Sequence, residues 1–386
     1  MRILVIHNRY KHPGGEDRVF EIETKELAAR GHVVKRLDVA NDDIRGALAF
    51  AGTALSAVYN SRARREVASL IKSFGPDIVH VHNFFPKLSP SIFDACAEFK
   101  VPAVWTLHNY RMTCANGALF RDGAICTQCL GNTPLPAVQN ACYRNSRLGS
   151  AAVATMIAWH RGNETWVRKV SRFIALTEFG RDIAIRSGIP SDKIVVKPNV
   201  VPAAPRLSRV REGAVFIGRL VPEKGVSTLL EAWKSFQGVP LTIIGDGPEL
   251  DLLRKIAPQN VAFAGRLSSD QVQYALATAA LCVVPSMWYE PFGLTAMEAM
   301  AAGTPVVAAR IGGLGTLVRN GQTGLLFEAG NVADLARCIN EALSDLDRLR
   351  EIGDAAFEYW RETCKPEANL AQLEAIYENV LAEEGR

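Results

Sequence analysis

The chain has no long apolar run. The uncharged, apolar-rich stretches Gly46 to Ser61 and Leu148 to Trp159 fall short of the ~20 apolar residues that a membrane-spanning helix needs. No tract has a disordered composition: hydrophobic residues make up 48% and charged residues 22% of 386, enough for a buried core in each of two domains. Met1-Arg-Ile-Leu-Val-Ile6 has the length of a first strand but lacks the apolar core and small-residue cleavage site of a secretory signal, so the expectation is a cytoplasmic protein. There is no Lys/Arg tract and no nucleic-acid signature, which sets nucleic acid aside as a partner. No Gly-x-Gly-x-x-Gly follows the first strand, and that disfavours a dinucleotide dehydrogenase.

Charge is present but uneven. Residues 1–200 carry 27 Lys+Arg against 17 Asp+Glu, a net of +10, and residues 201–386 carry 17 against 23, a net of −6. The first half therefore suits an anionic partner, either a phosphate-bearing substrate or a membrane surface.

Short apolar runs alternate with helical patterns along the whole chain. The runs include Ile3 to Ile6, Ile78 to His82, Val104 to His108, Phe173 to Leu176, Val215 to Gly218, Leu241 to Ile244, Val261 to Phe263, Leu281 to Val284 and Val306-Val307. This is the pattern of an α/β protein with two doubly wound, Rossmann-like domains facing a central cleft. Three prolines crowd the segment Lys197 to Pro205, which reads as the interdomain linker. The expected division is residues 1–203, then 204–365, then a final helix over 366–386 that ends the chain.

The most informative segment is Glu290-Pro-Phe-Gly-Leu-Thr-Ala-Met-Glu298. Pro291-Phe292-Gly293 ends a loop and opens a helix through Thr295 to Ala302, whose residues are good helix formers. The free NH groups of Phe292, Gly293 and Leu294 and the positive end of the helix dipole suit a phosphate or an oxygen-rich ligand. Glu290 then sits in the loop and Glu298 inside the helix, so the two carboxylates can grip different parts of one extended ligand. The plainer alternative is two unrelated acidic residues, but the buried strands expected on either side favour a strand–loop–helix–strand unit with its ligand at the strand ends.

Arg219 and Lys224 occupy the turn after the strand Val215 to Gly218, just before Gly225. Two cations at a strand end can hold a diphosphate; otherwise they are exposed surface charges. Gly245-Asp-Gly-Pro248 and Gly265-Arg266-Leu267 are further strand-end turns that together can wall a nucleotide pocket. In the first half, Gly14-Gly15 follows the first strand and allows close backbone approach. His108 ends its own strand, where it is either structural or turned toward a ligand.

Cys114, Cys126, Cys129 and Cys142 lie within an insertion spanning residues 111–147 and include a C-x2-C pair. Four thiolates at this spacing can hold a structural zinc; the alternative is unrelated thiols. Cys96, Cys282, Cys338 and Cys364 read as incidental. Between Ile157 and Arg172, Trp159 and Trp166 interleave with Arg161, Arg168, Lys169 and Arg172. That is either a headgroup-binding face or a helix with a tryptophan core side and a solvated basic side. Arg62-Ala-Arg-Arg65, after the apolar Ala47 to Tyr59, gives a second such stretch.

Taken in order, Gly14-Gly15, Pro76 to His82, Thr106-Leu-His108, Gly218 to Gly225, Glu290 to Glu298 and Gly303 to Val307 resemble the family-4 retaining glycosyltransferases of the GT-B fold, over essentially the whole chain. The resemblance implies that the second domain binds a nucleotide-activated sugar, UDP- or GDP-linked, and the first an acceptor. It implies that Arg219 and Lys224 take the diphosphate, Glu298 the ribose hydroxyls, Glu290 with Phe292, Gly293 and Leu294 the donor sugar, and Gly265, Arg266 and Leu267 the base. His108 matches the position beside the donor sugar, and Gly14 and Gly15 the loop near the diphosphate and acceptor. It also implies that the last helix packs back on the first domain.

No Asp-x-Asp triplet flanks these loops, so the expectation is metal-independent catalysis without a cofactor, the only metal being the structural zinc. The acceptor is expected to be a glycan or a lipid-linked glycan, met at the inner face of a membrane during assembly of a bacterial surface polysaccharide. The other readings are a nucleotide-sugar epimerase on the same scaffold and a noncatalytic binding protein.

Overall fold

A computed structural model describes residues 1–10, 14–41, 56–206 and 211–385. They form two compact units. The first comprises Met1–Leu119, Cys126–Val200 and Asn369–Arg386; the second comprises Phe120–Ile125 and Val201–Ala368.

The first unit is built on a six-stranded sheet of order β2-β1-β3-β4-β7-β8: β1 (Arg2–Asn8), β2 (Val33–Val39), β3 (Ile78–Val81), β4 (Ala103–Leu107), β7 (Arg172–Ala175) and β8 (Ile194–Val196). Every pairing is parallel, so the strands are covered on both faces and read as unbroken apolar runs rather than alternating ones. Ile3, Leu4, Val5 and Ile6 are each at most 1% exposed, and each such side chain contributes roughly 1.5–3 kcal/mol of burial. The final helix, Pro366–Glu383, buries Leu370, Leu373 and Tyr377 in this unit. In the segment expected to be a linker, Lys197 and Asn199 are buried.

The second unit has the order β11-β10-β9-β12-β13-β14: β9 (Ala214–Ile217), β10 (Leu241–Ile244), β11 (Val261–Gly265), β12 (Leu281–Val284), β13 (Val306–Ala309) and β14 (Leu325–Phe327). These pairings are also parallel. Renumbered from its own first strand, the sheet reads 3-2-1-4-5-6, the doubly wound order of dinucleotide-binding domains. Both sheets agree with the expected pair of Rossmann-like domains. The short strands β8 and β14, each of three residues, are the ones the sequence pattern does not reveal. A separate two-stranded hairpin, β5 (Phe120–Arg121) with β6 (Ala124–Ile125), turns on Asp122 and Gly123 at positive φ, the Asp-Gly pairing that a tight hairpin favours.

Candidate functional site

In the second unit the strand order reverses between β9 and β12, and an open α/β sheet binds its ligand at such a switch point. The loops leaving these two strands meet there. Met287 N donates to the Glu223 carbonyl at 2.8 Å. Gly225, at φ +68, lies so close to the other loop that a Cβ would sit 1.9 Å from the Pro285 carbonyl oxygen; only glycine serves at this position. Lys224 is thereby held against Glu290, its Nζ donating to Oε1, and Ser286 Oγ donates to the same oxygen at 2.9 Å. The ammonium also lies 5.4 Å from the centre of the Trp288 ring, within cation–π range. Glu290 is 7% exposed, so its charge is balanced by its partners rather than by water. Its backbone is gripped by the loop after β13, where Gly313 N donates to Glu290 O at 2.7 Å and a Cβ on Gly312 would meet Glu290 N.

The expected helix runs from Leu294 to Ala301, opened by Gly293 at φ 96. Its first turn rests on the end of β9 through Thr295 Oγ1, which donates to Ile217 O at 3.3 Å. Phe292 is buried. Glu298 lies further along the helix, half-buried, near enough to Cys282 to add to the burial that pushes that thiol up to about 12. The neighbouring strand-end loops interlock by backbone: Leu220 N donates to Asp246 O at 3.0 Å and Gly245 N to Gly265 O at 2.8 Å. Arg219 and Arg266 are not drawn into this frame. Their side chains are 66% and 70% exposed, at 3.7 Å from Glu223 and Asp246 respectively. The structure thus gathers Lys224, Glu290 and the helix start, and leaves two arginines extended in solvent beside them.

In the first unit the order reverses between β1 and β3. Gly14 and Gly15 open the helix Gly15–Ala29 after β1, and Asp17 accepts from Gly14 N at 2.6 Å while its other oxygen meets His7 Nε2 at 2.9 Å. Glu16 accepts from Asn83 Nδ2 at 2.9 Å and faces Asn109 Nδ2 at 3.4 Å. Burial, with Asp17 adding to it, raises the Glu16 carboxyl to about 8. His108 follows β4 and is half-buried, with Nε2 3.0 Å from His82 Nδ1. Burial first, then His7, His80 and Lys197, hold the His108 imidazole neutral, well below its ordinary range.

Behind His108 lies a buried polar chain that sequence reasoning missed. Lys197 Nζ donates to Glu23 Oε1 at 2.8 Å, and Glu23 Oε2 lies 3.4 Å from His82 Nε2. His80 spends one ring nitrogen on Thr106 Oγ1 at 2.8 Å and the other on Tyr377 OH at 2.7 Å. The signal was available: His80-Val-His82 and Thr106-Leu-His108 each place two polar side chains on one face at strand period, and neighbouring strands bring the two pairs together. Lys197 and Glu23 carry no such pattern.

Among the described residues, the metal-ligand atoms that gather within 4.8 Å of one another belong to Glu23, His80 and His82, not to Cys114, Cys126, Cys129 and Cys142. All four cysteines are free thiols. Cys114 Sγ is turned to Asn116 Oδ1 at 2.9 Å, and burial, with the neighbouring thiols, pushes Cys129 up to about 11. The four thiols are neighbours. His80 and its companions do not make a ready metal site, since both His80 nitrogens are engaged and Lys197 already neutralises Glu23.

The interleaved Trp and Arg stretch also divides. Trp166 is 3% exposed and stacks among Phe84, Phe93 and Trp105, while Lys169 pairs with Asp94 and Arg172 with Glu383. Trp159 alone of the two faces out. On the second stretch Ala63 is buried and Arg64 pairs with Glu98; most of the apolar run before it lies outside the described residues. No described helix is long and apolar enough to cross a membrane.

The chain is similar to known proteins. Residues 13–204 match the family described as Glycosyltransferase Family 4, and residues 208–359 match Glycosyl transferases group 1. Glycogen synthase of Mycobacterium tuberculosis is 33% identical over 290 residues, 71% of this chain and 62% of the relative. A GDP-mannose-dependent alpha-(1-6)-phosphatidylinositol monomannoside mannosyltransferase of the same organism is 31% identical over 223 residues, 51% of this chain and 57% of its own. The chain therefore spans about three-fifths of the length of these relatives. Among solved structures, a sucrose-phosphate synthase from Thermosynechococcus elongatus aligns with a TM-score of 0.66 at 19% identity, covering 99% of both chains. HepE of Anabaena, in complex with UDP, gives 0.66 at 19% identity over 98% of this chain and 100% of the other.

Proposed function

Because this chain is a family-4 glycosyltransferase of the GT-B fold, we propose that it transfers a sugar from a UDP- or GDP-linked donor to a hydroxyl acceptor with retention of anomeric configuration. The observation that carries the reading is Lys224 docked on Glu290 at the switch point of the second sheet, one loop away from the Leu294 helix start. Cleaving the bond between the anomeric carbon and phosphate oxygen leaves positive charge on the sugar and negative charge on the diphosphate. Lys224, Arg219 and the helix-start NH groups neutralise the diphosphate without a metal, which is commonly the largest electrostatic contribution to such a reaction. Glu290 and Glu298 take sugar and ribose hydroxyls, and Gly265 to Leu267 border the base. The acceptor oxygen attacks from the face the phosphate leaves, and its proton passes to the departing phosphate oxygen.

The acceptor assigned here is a lipid-linked glycan. The reading is supported by the helix Arg147–Gly162, where Leu148 and Trp159, 84% and 53% exposed, lie eleven residues apart and so on one face, next to the exposed Arg144 and Arg147. An apolar stripe with cations at its end suits a headgroup surface. The decisive experiment is transfer from a panel of UDP- and GDP-sugars by the parent chain and by Lys224→Ala. The expected result is a fall in turnover of roughly 100-fold or more; undiminished transfer by the variant removes Lys224 from the reaction.

A further inference from the structure

Three neutral or charged groups stand in line behind His108, and their proton positions are not independent. Glu23 is held by Lys197, which donates to Oε1 at 2.8 Å, and both residues are buried. A carboxylate has no proton to give. Its other oxygen lies 3.4 Å from His82 Nε2, and neither atom has another hydrogen-bond partner. If that ring nitrogen carried a lone pair, two electron-rich atoms would face each other in a dry interior at high cost. The proton therefore belongs on His82 Nε2, and His82 Nδ1 is an acceptor. The partner of Nδ1 is His108 Nε2 at 3.0 Å, so His108 must donate from Nε2. A neutral imidazole carries one N–H, which leaves the His108 Nδ1 lone pair for whatever approaches the half-buried ring.

We propose that Glu23, acting through His82, is a positioning residue that fixes His108 as the Nε2–H tautomer, so that the ring offers a hydrogen-bond acceptor rather than a donor. Resting on the proposed transfer reaction, this assigns a substrate bound at His108 a hydroxyl that donates to Nδ1. His80 supports the arrangement from the side: its ring centre lies 4.3 Å from that of His82, and its own nitrogens are tied to Thr106 and Tyr377, so His82 cannot turn without displacing it.

The substitution that tests this keeps the shape and reverses the logic. In Glu23→Gln the amide oxygen takes the Lys197 proton donor, because lysine only donates, and the NH2 group turns to His82 Nε2. That nitrogen becomes the acceptor, Nδ1 becomes N–H and donates to His108 Nε2, and His108 moves its proton to Nδ1. Histidine 15N-labelled full-length protein, with His108 assigned through His108→Gln, reads the tautomer directly from long-range 1H–15N correlations. The expected result is Nε2–H at His108 in the parent and Nδ1–H in Glu23→Gln, with kcat/KM for transfer lowered about tenfold. A parent spectrum with the proton on Nδ1, or a variant spectrum unchanged from the parent, overturns the proposal. The parent spectrum alone decides it should Glu23→Gln fail to fold. Undiminished transfer by His108→Ala would instead refute a substrate-facing role for His108 and leave the tautomer result standing.

Discussion

The two switch points solve the same problem with different materials. In the second unit the site is made of backbone and one docked cation: glycines at 225, 245, 312 and 313 bring loops into contact, and the half-buried Lys224 pairs with the buried Glu290. In the first unit it is made of side chains, with Glu23, His7, His80, His82 and His108 linked to one another or to Asp17, Thr106, Lys197 and Tyr377, and Glu16 held by Asn83. The difference separates two kinds of precision. Close-packed loops place a charge by excluding every alternative backbone path, whereas a polar chain places a proton by leaving each neighbour only one role.

The contrast is broken most severely at Gly225. Its φ is left-handed and its missing Cβ would fall 1.9 Å from the Pro285 oxygen. Gly225→Ala is expected to cost about 3 kcal/mol or more of stability, read from the urea midpoint, and to lower turnover with it. An alanine variant within about 0.5 kcal/mol of the parent would mean that the two loops do not depend on this contact.

A milder test uses acid. Burial lowers the His80 imidazole from 6.5 to about 4, so between those values the unfolded chain binds a proton that the folded unit refuses. Stability from this group is complete above pH 6.5 and is lost as pH falls toward 4, at a slope of up to about 1.4 kcal/mol per pH unit. The acid-side slope should flatten in His80→Gln, as followed by unfolding curves at successive pH values. A slope identical to the parent's would show that the histidine chain is not what acid attacks.

The effect at Glu16 has the opposite sign. The carboxyl is raised from 4.5 to about 8, so across that window the folded unit holds a proton that the unfolded chain has released. Stability therefore falls as pH rises. Glu16→Gln removes this dependence, and its Tm should pull progressively ahead of the parent's between pH 5 and 8, then by no more. A constant Tm difference across that range would place the Glu16 carboxyl outside the polar cluster.

These two kinds of site differ in how legible they were. The strand runs Ile3 to Ile6 and Leu281 to Val284, and the helix start after Pro291-Phe292-Gly293, follow from local pattern, because buried parallel strands are apolar throughout and helix openings have their own residue preferences. Lys224 and Glu290 could be named for the same reason: each sits at a strand end within a recognisable loop. Their direct bond could not, since 66 residues separate them. Glu23 and Lys197 lie further apart still, 174 residues, and nothing in their flanks announces a buried pair. The cysteine spacing gives reach along the chain, so the gathering of the thiols was legible and their directions were not. Trp166 could be read as core or as surface, because a helix face cannot be read from interleaving when the helix breaks at Asn163.

The last helix has a consequence for biosynthesis. Tyr377 closes on His80 from a segment made almost 300 residues later, and Leu370 and Leu373 fill the same core. A ribosome that has released residues 1–200 has therefore delivered a nascent unit lacking one of its walls. That unit must wait, its histidines partly open to water, while the whole second unit is synthesised. Its completion waits for synthesis of this helix, and any product truncated before it keeps the fault permanently.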